Sequence, residues 1–237
     1  MISRRVRATS VLVLLAATSC TVDDVTDGQA PAGDGRPALA ALDDLTVKGR
    51  AGRDGYDRRM FGSPWPDVDG NDCGTRDDIL ARDLDDVTRD EDGCTVESGT
   101  LTEDPFTGET IDFARGGPSE VDIDHLVALS DAWQKGAHTW EPAKRIALAN
   151  DPLNLLAVDA GANRQKGDAD AATWLPSHKP YRCTYAAAQV AVKQKYELWV
   201  TEAEKEALAR ILGGCPDTEL PQGDAPTTAP PEFSAPD

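Results

Sequence analysis

Asp122, Asp124 and His125 stand within four consecutive positions of the stretch EVDIDHLVALSDAWQ, and Asn154, Asn163, Arg164 and Lys166 follow in that order downstream. A carboxylate and an amide oxygen are natural ligands for a hard divalent cation. An imidazole is suited to take a proton from water near neutral pH. Together they are the parts of a site that hydrolyses a phosphodiester bond around a single metal ion. Each residue alone has an ordinary explanation: a structural histidine, asparagines that close turns, a surface lysine. Their joint order along the chain carries the chemical reading.

Local patterns place these residues on three short elements. Val121 and Ile123 alternate with Asp122 and Asp124, so a strand runs into His125. Adjacent strand residues point to opposite faces; Asp124 and His125 therefore share a site only if the strand ends or twists at that point, as we expect. Residues 130–136 and 141–149 read as helices of the connection, and Asn154–Val158 as the second strand. Asp159 is placed to cap a short helix that Gly167 ends. Asn163 and Lys166, three apart, lie on one face of that helix.

The remaining elements form a mostly helical surround. Leu39, Leu42 and Leu45 make a helical stripe over 38–47, and Tyr56–Phe61 reads as a second short helical piece ended by Gly62. Thr75 is expected to cap a helix reaching Asp86, with Ile79, Leu80 and Leu84 inward. Residues 94–102 read as two short strands about a Ser98-Gly99 turn. Residues 104–108 read as a turn into a strand near 110–113. A helix is expected over Ala186–Val200. Thr201 and Glu204 form a capping box for another that runs to Leu212 before Gly213-Gly214.

Composition and the chain ends limit where such a protein works. Arg4, Arg5 and Arg7, an apolar run from Val11 to Ala17 and the small residues before Cys20 read as an export signal over 1–20. Cys20 is positioned for lipid attachment in the manner of a bacterial lipobox, although Ala17 stands where leucine is usual; free secretion is the alternative. Residues 21–36 read as a flexible linker, 37–215 as one domain, and 216–237, with six prolines and little to bury, as a disordered tail. Setting Cys20 aside, four cysteines permit three pairings, of which loop length and position favour Cys73–Cys94 and Cys183–Cys215. Such bonds suit an oxidising compartment, so the expected location is exported: extracellular, or anchored to the outer face of the cell membrane.

The net charge of −18 opposes a polyanionic ligand. Its distribution weakens that opposition. Residues 21–112 carry 24 acidic against 9 basic side chains, whereas 113–185, which hold the candidate site, carry 9 against 8. His138 and His178 read as structural, and Trp133, Trp140, Trp174 and Trp199 as core. Arg76 and Arg115 stand open between salt bridge and phosphate contact.

The blocks DIDH, NLLAV and NRQKGD resemble the HNH nucleases (ββα-metal or His-Me finger), including the HNH domain of RNA-guided CRISPR effectors. CGTRDDILARDL, DIDHLVALSDAWQKGA, ANDPLNLLAV, NRQKGD and WLP before YRCTYA extend the resemblance to exported bacterial HNH proteins related to the C-terminal part of GmrSD-type restriction enzymes. The resemblance implies an α+β fold, a ββα-metal finger embedded in a mainly helical single domain with two disulfides. It implies one divalent cation, Mg²⁺ or Mn²⁺, on Asp124 and Asn163, with His125 as general base and Asn154 bracing its loop. Lys166 and Arg164 would meet substrate phosphate, with Asp122 behind the metal ligands. The implied activity is endonucleolytic hydrolysis of DNA, and of RNA as a second substrate. A reading from another class, which the acidic N-terminal half favours, is a non-catalytic surface protein that keeps the fold as a cation-dependent binding module.

Overall fold

A computed structural model describes residues 36–118 and 120–235. The export signal with Cys20, and the linker except Arg36, lie outside the described residues. Seven helices are described: α1 (Ala38–Asp43), α2 (Thr75–Asp83), α3 (Leu129–Gln134), α4 (Pro142–Asn150), α5 (Ala160–Lys166), α6 (Arg182–Tyr196) and α7 (Glu202–Gly213). β1 (Asp85–Arg89), β2 (Val96–Leu101) and β3 (Ile111–Ala114) make one antiparallel sheet in that order. β4 (Val121–His125) and β5 (Leu155–Asp159) make a second, antiparallel pair.

The two-stranded ribbon is central to the site. Val121, Ile123, Leu155 and Ala157 pack with Ile79, Leu80 and Leu84 of the α2 region and with Val96 and Leu101 of β2. In a ribbon with period-two side chains, this leaves the alternate positions Asp122, Asp124, Leu156 and Val158 for the opposite face, where Val158 packs with Ala162 of α5. The outer edge of β5 is covered as well. Arg82 donates to the carbonyls of Pro152 (2.8 Å) and Leu155 (2.7 Å), and Asp83 accepts from the Ala157 amide (2.8 Å). A free edge thereby becomes a bonded one.

Four expectations are corrected. The helix from Thr75 stops at Asp83, where Arg82 and Asp83 turn to β5, and the strand β1 begins at Asp85. Thr75 sits inside that helix and donates to the Pro66 carbonyl; Gly74 takes the cap position. Ser98-Gly99 is not a turn but the middle of β2, paired with β3. A Cβ on Gly99 would lie 3.0 Å from Leu84 Cβ and 3.2 Å from the Asp85 carbonyl, so the glycine marks a close approach of neighbouring chain. The segment after Cys215 packs against the body: Leu220 and Ala229 are buried, and their amides donate to the carbonyls of Arg36 and Ala143. Phe233 and Ala235 pack, partly buried, against the same cluster as Ala229.

Cys73–Cys94 and Cys183–Cys215 are both disulfides; the second ties the start of α6 to the end of α7. The capping box of Thr201 and Glu204 is present. Glu204 also enters a buried ionic network. Lys135 Nζ meets Asp131 (2.7 Å), Asp170 (2.8 Å) and Glu204 (2.6 Å), Lys193 Nζ meets Asp131 (3.2 Å) and Glu204 (3.0 Å), and half-buried Arg50 closes on Asp131 (2.8 Å) and Asp170 (2.6 Å). Three cations face three carboxylates, so the cluster is neutral, and it joins α3, α6, α7 and the chain that follows α5.

Burial is the largest influence on Asp131 and Asp170 and acts to raise their pKa, but the surrounding cations outweigh it and the net shift is downward. Burial likewise opposes the charge on Lys193, yet Glu204 and Asp131 hold its pKa up to about 12. Stability from the two aspartates is therefore complete above the unfolded value of about 3.9 and is lost as pH falls through the depressed folded values. That from Lys193 is complete below 10.5 and is lost as pH rises through about 12. Glu204→Gln should cost about 3 kcal/mol in urea unfolding at pH 7, because two buried ammonium groups lose their shared carboxylate. It should also bring the alkaline loss of stability to lower pH. A cost under about 1 kcal/mol would show the network to be energetically idle.

Candidate active site

β4 ends at His125, and the residues just beyond it are held by Asn154. The Leu126 amide donates to the Asn154 carbonyl (2.8 Å) and the Val127 amide to Asn154 Oδ1 (2.8 Å). Asn154 Nδ2 donates to the carbonyls of Val127 (3.4 Å) and Leu148 (3.2 Å). Asn154 is fully buried, and its contacts fasten the chain on both sides of the histidine ring. His125 Nε2 lies 2.9 Å from the carbonyl of Ala149, the residue after Leu148. A carbonyl only accepts, so Nε2 carries the proton and Nδ1 keeps the lone pair.

The environment sets the protonation state of that ring. Burial, and next the charge of Arg58, bring the His125 pKa down to about 3, against the opposing pull of the Ala149 carbonyl. The imidazole is neutral at pH 7, so its Nδ1 lone pair is available, and burial holds its pKa below the near-neutral value expected from sequence. Trp65 stacks on it, with ring centroids 5.7 Å apart and planes 15° from parallel.

α5 brings the other groups to the polar face of the ribbon. Asp159 caps it through the Ala162 amide (2.6 Å), and the backbone N–H of Asp159 is itself held by buried Asp104 (2.8 Å). Gly167 ends it at φ 50°. Asn163 Nδ2 donates to Asp122 Oδ2 (3.2 Å), which leaves the amide oxygen as the atom able to bind a cation. Asp124, Asn163 and His125 line one cavity of about 180 Å³, together with Tyr56, Arg58 and Asp168.

Lys166 does not reach the surface, where a phosphate contact would require it. Its side chain is completely buried, and Nζ donates to Asp124 Oδ1 (2.9 Å) and to the His125 carbonyl (2.8 Å). Arg164 is exposed on α5 and does not line the cavity. Burial raises the pKa of Asp124, opposed chiefly by Lys166. Asp124 Oδ2 is buried without a hydrogen-bond partner. Of the two arginines open between salt bridge and phosphate contact, Arg115 pairs with Asp77 and donates to the Val96 carbonyl (2.8 Å), while Arg76 lies 5.7 Å over the Phe113 ring.

A family model for the C-terminal domain of GmrSD restriction endonucleases matches residues 74–211. The chain belongs to that family. An uncharacterized secreted protein of Arthroderma benhamiae is 40% identical over 180 residues, covering 75% of this chain and 84% of its own length. No solved structure matches. A secreted relative and two disulfides agree on location: this GmrSD-family domain is an exported protein. The matched stretch holds Asp122, Asp124, His125, Asn154 and Asn163 but begins after Tyr56, Arg58 and Trp65, the cavity and stacking residues that the motif does not reveal. The signal available for them in the sequence is only an aromatic and basic cluster in YDRRMFGSPW.

The Asp124–Lys166 pair gives a stability test. Lys166→Met leaves a buried carboxylate and the His125 carbonyl without their donor and should cost about 3–5 kcal/mol in guanidinium unfolding. Adding Asp124→Leu removes the stranded charge, and the double variant should return to within about 1 kcal/mol of wild type or exceed it. If Lys166→Met alone unfolds like wild type, the ammonium is not held as described.

Proposed function

We propose that this exported GmrSD-family protein is a metal-dependent endonuclease that hydrolyses phosphodiester bonds of DNA, with RNA as a second substrate. The observation that carries the reading is the convergence of Asp124, His125 and Asn163 on one cavity from the end of β4 and from α5. The succession of β4, β5 and α5 supports reading them as a ββα-metal finger.

The residues fit a hard cation. Asp124 Oδ2 is a buried oxygen without a donor, and the Asn163 amide nitrogen is occupied by Asp122, leaving its oxygen available. Among the described residues no cluster of three or more His, Cys, Asp or Glu side chains could hold a metal, so water and substrate oxygens would have to complete the shell, as they commonly do for Mg²⁺. Held by Asp124 and Asn163, Mg²⁺ or Mn²⁺ would supply Lewis-acid stabilisation of charge developing on the phosphate oxygens.

The chain's own groups do the rest. His125 Nδ1 takes a proton from the water that attacks phosphorus, while the Ala149 carbonyl fixes the tautomer that leaves Nδ1 free. As the new P–O bond forms the P–O3′ bond breaks, the departing 3′-oxygen takes a proton from solvent water, and the products carry a 5′-phosphate and a 3′-hydroxyl. Asn154 positions His125 by holding Val127 and Leu148. Lys166 positions Asp124 and is a structural cation rather than a substrate contact. Asp122 orients the Asn163 amide.

Supercoiled plasmid incubated with Mg²⁺ or Mn²⁺ should be nicked by wild type, and EDTA should abolish the reaction. His125→Ala should lower the rate by roughly 10²–10⁴-fold while leaving the far-ultraviolet circular dichroism unchanged. A wild-type chain that cleaves neither DNA nor RNA with any divalent cation would reduce the fold to a binding module.

A further inference from the structure

We propose that Arg58 is the residue that binds the substrate's backbone phosphate at this site, an inference that rests on the nucleic-acid reading above. With Lys166 committed to Asp124, the cavity needs another cation to meet a phosphodiester anion. Arg58 lines it beside Asp124, His125 and Asn163, and also lines the adjoining cavity of about 170 Å³ bounded by Phe61, Pro64, Trp65 and Leu129. It therefore stands where the two spaces meet, with His125 common to both. Its charge is felt at His125 and at Asp124.

The neighbouring guanidinium groups are already engaged. Arg59 is held by Asp57 through Nη2 (2.6 Å) and Nε (3.1 Å), Arg53 pairs with Asp168 (3.2 Å), and Arg145 donates to the carbonyls of Met60 (2.8 Å) and Trp140. Among the described residues Arg58 has no carboxylate partner within salt-bridge distance, and the residue is exposed. An arginine fork without a protein anion, facing a cavity of catalytic groups, is matched in geometry and charge to a phosphate.

The backbone under Arg58 is fixed in advance. It opens a 3₁₀ turn, Arg58–Phe61, capped by Asp57 through the Arg59 amide (2.9 Å). The Met60 carbonyl is held by Arg145, and Phe61 is buried. Gly62 follows at φ 86°, ψ −173°, a conformation open essentially to glycine alone, and a Cβ there would lie 2.9 Å from Ile146 Cγ1. A cation on so rigid a support loses little backbone freedom on binding. The whole device precedes the stretch matched by the family model, which begins at residue 74.

The test measures binding to a fluorescent DNA duplex by anisotropy in EDTA, over a range of KCl concentrations, beside plasmid cleavage with Mg²⁺ or Mn²⁺. Arg58→Ala should weaken binding by about tenfold or more and flatten the slope of log affinity against log salt by about 0.9, the value for one lost phosphate contact. Arg58→Lys should restore the slope and only part of the affinity. Arg89→Ala, which removes the same charge from the distant edge strand β1, should leave the slope as in wild type. If Arg58→Ala keeps the wild-type slope and affinity, or if wild type binds no duplex at low salt, the inference is overturned. The two readings separate cleanly. A wild type that cleaves while Arg58→Ala matches it in both assays removes Arg58 and spares the nuclease; a slope that falls in Arg58→Ala without cleavage by wild type keeps Arg58 and removes the nuclease.

Discussion

One buried ammonium holds the centre of this molecule together. Lys166, in the last turn of α5, donates to the carboxylate of Asp124 and to the carbonyl of His125, and so fastens the helix to the end of β4. A charge in a water-free position is tolerated only with partners of opposite sign and good geometry. The requirement works in both directions: removing either side chain leaves the other as a buried polar group without its partner. The carbonyl contact draws the backbone of His125 into the same arrangement. Carboxylate, imidazole and the Asn163 amide one turn earlier on α5 are thus held in a fixed relation by a single side chain.

That arrangement is itself braced at both ends of α5. At the N-terminal end, Asp104 accepts from the Asp159 amide with one oxygen and from Phe106 and Thr107 with the other, so a turn far back in the chain holds the helix cap. Beyond the C-terminal end, Asp170 joins the neutral network of Lys135, Lys193, Arg50, Asp131 and Glu204. Buried ion pairs are poor sources of net stability but costly to break. Their effect here is to give α5 one seat on the ribbon, because a shift in register would strand several charges together.

What is legible in the sequence, and what is not, follows from the range of the interactions. β4 is visible because Val121 and Ile123 alternate with two aspartates. The limits of α5 are visible because a capping aspartate and a terminal glycine act within a few residues. Asn154 has no such local signal: alone it reads as a turn residue, its bracing role is only what the HNH resemblance implies, and its bonds to Leu126, Val127 and Leu148 depend on contacts from outside the strand. Lys166 misleads because its partners lie on another element: a lysine beside an arginine and a glutamine at the end of a short helix looks solvated until β4 is packed against it. Ser98-Gly99 misleads for a related reason. Glycine in a strand and glycine in a turn look alike until the neighbour at Leu84 and Asp85 is known. Arg58 carries no signal beyond a cluster of basic residues, since what sets it apart from Arg53 and Arg59 is that, among the described residues, no carboxylate pairs with it.

The acidity of the chain bears on how such a site could work on a polyanion. A net charge of −18 gives no long-range attraction to nucleic acid. Within the cavity the Asp124 carboxylate is offset by Lys166, and Asp168 at its rim is offset by Arg53. Local pairing therefore brings the site close to neutrality even though the surface is acidic, and a bound divalent cation would add to whatever positive charge remains. Substrate capture in such a protein depends on contacts made after encounter rather than on steering, so affinity should be modest and product release easy.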